Sequence, residues 1–339
     1  MIQKLLLIGP NFHYFLASIG RAFEVCGYQI HTCAYDNPIH PYTTLNKWKY
    51  KFAQDKEALK QQSRRHYDLY IREQFDSIQP EIVFVLNSDN LLPVTLDYFK
   101  QASKVIIWLF DSVKRFPVVL ENLSHVDHVF CYEQSDIPYI QEQLHITAHF
   151  LPQAVDETLY YPMPSTKRYD ISFAGDIWQS QRRQTILQGL VNKYSQLKIR
   201  IWGIYKPWYK GLLRWLTRER RDVYMNKNAS ATMLNETYNQ SRIVLNIHGE
   251  QQKNGANPKV YEIAASGVYQ ICDANPYIET LFRHGEVGLY HNEQELHELI
   301  DYALSHDMSQ QAQAAYQLIV SQHTFVHRIQ QMLQELKKS

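Results

Sequence analysis

The chain has 339 residues, 45 % hydrophobic and 20 % charged, a globular composition long enough for two domains of about 150 residues. Its net charge of +1 provides no global electrostatic pull toward nucleic acid. Four cysteines without a C-x-x-C pair read as free thiols of a reducing cytosol, and no apolar run reaches the length of a membrane span.

From the start, short apolar segments alternate with helix-period segments. Residues 5–8 read as a buried strand, too short for a signal-peptide core. Gly9, Pro10, Asn11, Phe12 and His13 follow it, where small residues at Gly9 and Asn11 allow an acceptor to approach and His13 is a candidate general base. A lone histidine is as readily structural. Phe15, Leu16, Ile19, Ala22 and Phe23 then form a helical stripe. Further strands are predicted over 29–34, 82–86, 105–110, 129–132 and 149–151, several of them continuous hydrophobic runs of the kind found in parallel sheets covered on both faces. A basic stretch over 47–65 suits a solvated helix face or a guide for an anionic acceptor. Asp111 closes the strand 105–110, where an acid serves either catalysis or the cap of the next helix.

Prolines 152, 162 and 164 mark an extended linker, after which the pattern restarts. A strand over 170–174 ends in Gly175 and Asp176, and a polar helix start at Ser180 carries Arg182 and Arg183, either phosphate ligands or solvated arginines. More strands are predicted over 198–202, 243–247, 268–272 and 287–290. The pattern gives an α/β chain of two Rossmann-like, doubly wound lobes facing a central cleft. The first lobe covers 1–155 and the second 156–323, with a C-terminal helix at about 324–339 whose stripe of Phe325, Ile329, Met332, Leu333 and Leu336 packs back on the first lobe.

Between two of these lobe-two strands lies Asn254-Gly255-Ala256-Asn257-Pro258-Lys259-Val260-Tyr261-Glu262. Asn257 can cap a helix whose first turn holds Pro258, and Gly255 lets the loop backbone approach a ligand. Free N–H groups, the helix dipole and Lys259 favour an anion such as a diphosphate. Glu262, three residues on, shares the face of Lys259 and can accept two hydrogen bonds from vicinal ribose hydroxyls. A capped surface helix with a Lys–Glu pair fits the same spacing. The stretch from Lys206 to Arg221 interleaves six cations with three large aromatics and three leucines, the pattern of a peripheral membrane contact or of an amphipathic surface helix. Fifteen histidines occur without metal-ligand spacing, so no metal site and no cofactor are predicted.

Four places together resemble the GT-B glycosyltransferases related to the spore-maturation protein CgeB, within the wider glycosyl transferases group 1 set. They are the linker Leu151-Pro152-Gln153-Ala154-Val155-Asp156 with Tyr161-Pro162, the strand Asp170-Ile171-Ser172-Phe173-Ala174-Gly175, the segment Leu245-Asn246-Ile247-His248 with Asn257-Pro258-Lys259-Val260-Tyr261-Glu262, and His323-Thr324-Phe325 with Arg328. Trp108-Leu109-Phe110-Asp111 is the best local match in the first lobe.

The resemblance implies a metal-independent transferase of the cytoplasm or inner membrane face. It would move a sugar from a UDP- or GDP-linked donor to a glycan, lipid-linked or protein acceptor in glycoconjugate synthesis. Glu262 would bind ribose, Lys259 and Asn257 the diphosphate, and Arg182 or Arg183 a further phosphate oxygen. Gly175, Asp176, Gly203, Asn254 and Gly255 complete the donor side. Asp111 or His13 would assist an acceptor if the enzyme inverts. Retaining members carry an E-x7-E pair, but the position eight before Glu262 is Asn254, which leaves the stereochemistry open. A GT-B sugar-nucleotide 2-epimerase and a catalytically degenerate binding partner are the alternatives.

Overall fold

The computed structural model describes residues 3–10, 14–34, 55–88, 90–114, 117–205, 222–250 and 252–338. Two compact units divide it: residues 1–152 with 325–339, and residues 153–324.

In the first unit, six parallel strands are described, β1 (Lys4–Gly9), β2 (Gln29–Ala34), β3 (Ile82–Leu86), β4 (Lys104–Leu109), β5 (His128–Cys131) and β6 (Ala148–Phe150), in the order β2-β1-β3-β4-β5-β6. All five residues of β3 are buried, as are five of six in β1 and in β4, because helices cover both faces. These helices are α1 (Phe15–Val25), α2 (Lys56–Ile78), α3 (Pro93–Lys100), α4 (Leu120–Leu123) and α5 (Asp136–Leu144). The stripe Leu16, Ile19, Ala22 and Phe23 of α1 is buried.

The second unit repeats the plan with β7 (Tyr169–Ala174), β8 (Ile199–Trp202), β9 (Ser241–Asn246), β10 (Tyr269–Asp273) and β11 (Gly288–Tyr290), in the order β11-β10-β9-β7-β8. Counted from its own first strand, this is the 2-1-3-4-5 order of the first lobe. Its helices are α6 (Gln181–Lys193), α7 (Ala231–Asn239), α8 (Pro258–Ala265), α9 (Pro276–Leu281), α10 (Glu293–Ser305) and α11 (Ser309–Gln322). One face of the sheet packs Ile171, Phe173, Ile243, Leu245 and Ile271 against Leu187 and Leu190 of α6 and Leu296 and Ile300 of α10. Around α7 the packing is polar. Ser241 Oγ bridges Ser172 Oγ at 2.8 Å and the Thr237 carbonyl at 2.6 Å, and Trp202 Nε1 donates to Thr237 Oγ1 at 3.0 Å.

The last helix, α12 (Phe325–Leu336), leaves the second unit and completes the first. Phe325 meets Phe15 and Trp108 edge-on at 6.4 and 6.3 Å, and Ile329 and Met332 are fully buried. Buried Arg328 donates from Nε to the Pro152 carbonyl at 2.9 Å, which satisfies a carbonyl at the end of the first lobe's chain.

Candidate functional site

In an open α/β sheet, ligands bind beyond the carboxyl ends of strands where the order reverses. In the second lobe that point lies between neighbours β7 and β9. β7 ends at Ala174, and the turn through Gly175, exposed Asp176, Ile177 and Trp178 leads to α6, capped by Ser180 Oγ accepting from the Arg183 N–H at 3.3 Å. Gly175 N–H donates to the Trp202 carbonyl at 3.1 Å. Gly203 has φ +134°, and a Cβ there would stand 1.9 Å from the Gly175 carbonyl oxygen. Only glycine lets the exits of β7 and β8 close on each other.

β9 leads to α8 through residues 247–257. Asn257 Oδ1 accepts from the Val260 N–H at 3.2 Å, so it caps α8, with Pro258 in the first turn. Asn257 and Asn246 also exchange side-chain amide hydrogen bonds at 3.0 and 2.9 Å, which ties the helix start to the end of β9. The buried Gly255 carbonyl accepts from Asn275 Nδ2 at 2.9 Å, and Asn254 is half-buried beside it. Lys259 Nζ lies 2.6 Å from Glu262 Oε2; the lysine side chain is 24 % exposed and the glutamate 1 %.

The two arginines of α6 span the gap between the strand ends. Arg183 Nε donates to the Ile247 carbonyl and its second nitrogen to the Asp176 carbonyl, both at 2.9 Å. One Arg182 nitrogen lies 2.6 Å from Asp273 Oδ2 and donates to the His248 carbonyl at 3.3 Å, while 41 % of that side chain stays exposed. Both guanidiniums thus build the wall of the site, and Arg182 keeps a face toward solvent.

Asp273, at the end of β10, collects more than Arg182. The His248 N–H donates to its two oxygens at 2.9 and 3.2 Å, and His248 Nδ1 lies 2.7 Å from Oδ1. Burial pushes this carboxyl up, but the His248 hydrogen bonds and the charges of His248 and Arg182 outweigh it and hold the group at about 2. Cys272 Sγ is 3.7 Å from His248 Nδ1, with its thiol pushed well up by burial. His248, Cys272 and Asp273 bring three metal-type donor atoms within 4.8 Å of one another, a grouping that sequence spacing did not show. The guanidinium on Asp273 already supplies the cation there. His248 Nε2 is buried and has no hydrogen-bond partner among the described residues, an arrangement that costs about 1–3 kcal/mol if nothing binds it. His248 and Asp273 lie 25 residues apart, so only the rule that parallel strands present function at their carboxyl ends could have paired them.

In the first lobe, Gly9 closes β1, where a Cβ would stand 2.9 Å from both Leu16 Cδ1 and Leu86 Cβ. Asp111 is half-buried two residues beyond β4, next to Phe110, whose N–H donates to Asn87 Oδ1 at 2.9 Å. Asn11, His13, the stretch from Lys206 to Arg221 and the first part of 47–65 lie outside the described residues.

Residues 182–334 match the sequence model of the family described as Glycosyl transferase-like. No curated protein sequence matches the chain significantly. Among solved structures, sucrose-phosphate synthase from Thermosynechococcus elongatus aligns at TM-score 0.71 and 12 % identity, covering 99 % of this chain and 98 % of that one. Anabaena HepE, solved in complex with UDP-glucose, aligns at 0.66 and 12 %, covering 99 % and 100 %. An E. coli trehalose-6-phosphate structure bound with UDP-2-fluoro glucose aligns at 0.66 and 12 %, covering 99 % of each. These likenesses establish the GT-B fold. Residues 182–334 on that frame are thus similar to a glycosyl transferase-like family.

Proposed function

We propose that the second lobe holds a UDP- or GDP-linked sugar and that the chain transfers the hexosyl group to a glycan, lipid-linked or protein acceptor without a metal. The observation that carries this reading is the start of α8. An asparagine-capped helix N-terminus, Lys259 and Glu262 stand together after β9, at the switch point of the sheet. On donor entry the diphosphate takes Lys259, and the released Glu262 carboxylate accepts the ribose hydroxyls. One buried ion pair is exchanged for two charge-assisted contacts.

In the transfer, the bond from the anomeric carbon to the diphosphate oxygen breaks and a bond to the acceptor oxygen forms. The nucleoside diphosphate leaves with the electron pair. Lys259 and the α8 N–H groups stabilise that charge in place of a metal ion. Asp111 or His13 takes the acceptor proton if the reaction inverts, and the departing phosphate takes it if the reaction retains. Arg182, whose guanidinium occupies the Asp273 carboxylate, supports metal-free chemistry at this edge.

The relation to CgeB, within the glycosyl transferase-like set, rests on the linker, on the strand 170–175, on residues 245–248 with 257–262, and on His323, Thr324, Phe325 and Arg328. We place the activity in the cytoplasm, with contact to the inner membrane face through Lys206 to Arg221. Four free cysteines suit a reducing compartment, and no helix among the described residues is long and apolar enough to cross a membrane.

The test is calorimetry with UDP, GDP, ADP and CMP on the wild type, Lys259→Ala and Glu262→Ala. One nucleotide should bind the wild type, and both variants should weaken it about tenfold or more with the fold intact. Equal binding by all three proteins, or no binding by any, would remove this site.

A further inference from the structure

His248 sits two residues past β9 and is 2 % exposed. Its surroundings hold every part of it except one atom. Asp273, with its carboxyl far below neutrality, can only accept, so the proton between the two groups belongs to Nδ1. That fixes the Nδ1 proton and the orientation of the ring. The backbone on both sides is also fixed, because the His248 N–H bonds Asp273 and the Ile247 and His248 carbonyls accept from Arg183 and Arg182. Nε2, on the opposite edge of the ring from the Asp273 bond, is buried without a partner among the described residues.

A metal is one occupant that such a ring could take, with Cys272 and Asp273 as its other ligands. It would have to displace Arg182 from Asp273 and deprotonate a thiol that burial holds in its neutral form. His248 also lies on the segment that runs from β9 to α8, whose ends Asn246 and Asn257 tie together, and the start of α8 is the helix end suited to anions. Of the charged groups nearby, Asp273 holds the Nδ1 edge, Arg182 and Arg183 from α6 donate to the His248 and Ile247 carbonyls, and Glu250, two residues on, accepts from the Ser180 hydroxyl at 3.0 Å. Two of the four are cations, and one of the two anions is engaged by the ring itself.

We propose that His248 is a donor-binding residue whose Nε2–H donates to a diphosphate oxygen of the nucleotide sugar, with Asp273 on Nδ1 holding the ring in place. The ring is then an imidazolium between two anions, and its second proton comes from solvent. This inference rests on the nucleotide-sugar reading and adds a ligand to its diphosphate that lies outside α8.

The experiment compares His248→Asn, which keeps an N–H for Asp273 and lacks Nε2, with Glu262→Ala. The probes are UDP and GDP, each beside its nucleoside, measured by calorimetry. His248→Asn should weaken the diphosphate that binds by about tenfold or more and leave the nucleoside unchanged, whereas Glu262→Ala weakens both. Unchanged diphosphate affinity in His248→Asn, while Glu262→Ala still weakens it, overturns the role of His248 and leaves the nucleotide-sugar reading standing. Equal weakening of diphosphate and nucleoside in His248→Asn overturns it too, since the variant would then have disturbed the whole site. If the wild type binds neither diphosphate, both readings fall together. Should His248→Asn not fold, wild-type protein carrying 15N-histidine decides. The diphosphate must move the Nε2 resonance of the His248 imidazole, and a resonance that stays fixed at saturation overturns the proposal.

Discussion

The two lobes share a strand order, yet their carboxyl edges differ. In the first, Gly9 at the switch point packs against Leu16 and Leu86, and the strands beneath it are apolar over residues 5–8 and 82–86. In the second, the matching point carries Arg182, Arg183, His248 and Asp273, with Asn246 and Asn257 beside them, most of it buried. Buried polar groups are costly unless paired, and a lobe that gathers so many at one sheet edge has a use for them. The frame is common to both lobes, and the proposed donor site lies on the second.

The comparison can be broken at several points. Gly203→Ala should be the most damaging single change, because its Cβ meets a backbone oxygen at 1.9 Å and its φ is +134°. A loss of about 3 kcal/mol or more is expected in chemical denaturation, confined to the second lobe's transition. Gly9→Ala, whose Cβ meets only side chains, should cost about 1–3 kcal/mol. Equal effects would mean that the two edges are equally rigid.

Asn257→Ala removes a helix cap and leaves the Asn246 amide unpaired, so about 2–3 kcal/mol of stability should go, together with nucleotide binding. Acid sharpens the contrast in another way. The Asp273 carboxyl is depressed from its ordinary 3.8 to about 2 in the folded chain, so it contributes stability above the unfolded value that is lost as pH falls through the folded one. Between about pH 4 and pH 2 the second lobe should lose about 2 kcal/mol, and Asp273→Asn should flatten that part of the curve. Smallest in binding terms is Asp111→Asn. Nucleotide affinity should stay within about twofold, and a loss of transfer rate alone would place Asp111 on the acceptor side of an inverting reaction.

Much of this frame is legible in the residues. Continuous apolar runs such as 82–86 announce strands buried on both faces, and Asn257 and Ser180 cap helices at the positions their side chains suggest. The stripe from Phe325 to Met332 demands a partner, and the fold supplies α1 and Trp108. The wall of the site is less legible because its contacts run between strands. Nothing in the spacing around Arg182 tells of its bond to Asp273 of β10 at 2.6 Å, and His248 looks like one histidine of many until the same carboxylate fixes its ring. Local spacing cannot encode such a meeting; sheet order does.

Thermal unfolding of the wild type and Glu262→Ala against a panel of nucleotide sugars tests the central claim most directly, since a ligand that binds only the folded state raises the melting point. One UDP- or GDP-sugar should raise the wild-type midpoint by several degrees and leave Glu262→Ala unmoved. No shift with any donor, or the same shift in both proteins, would contradict a donor site at the start of α8.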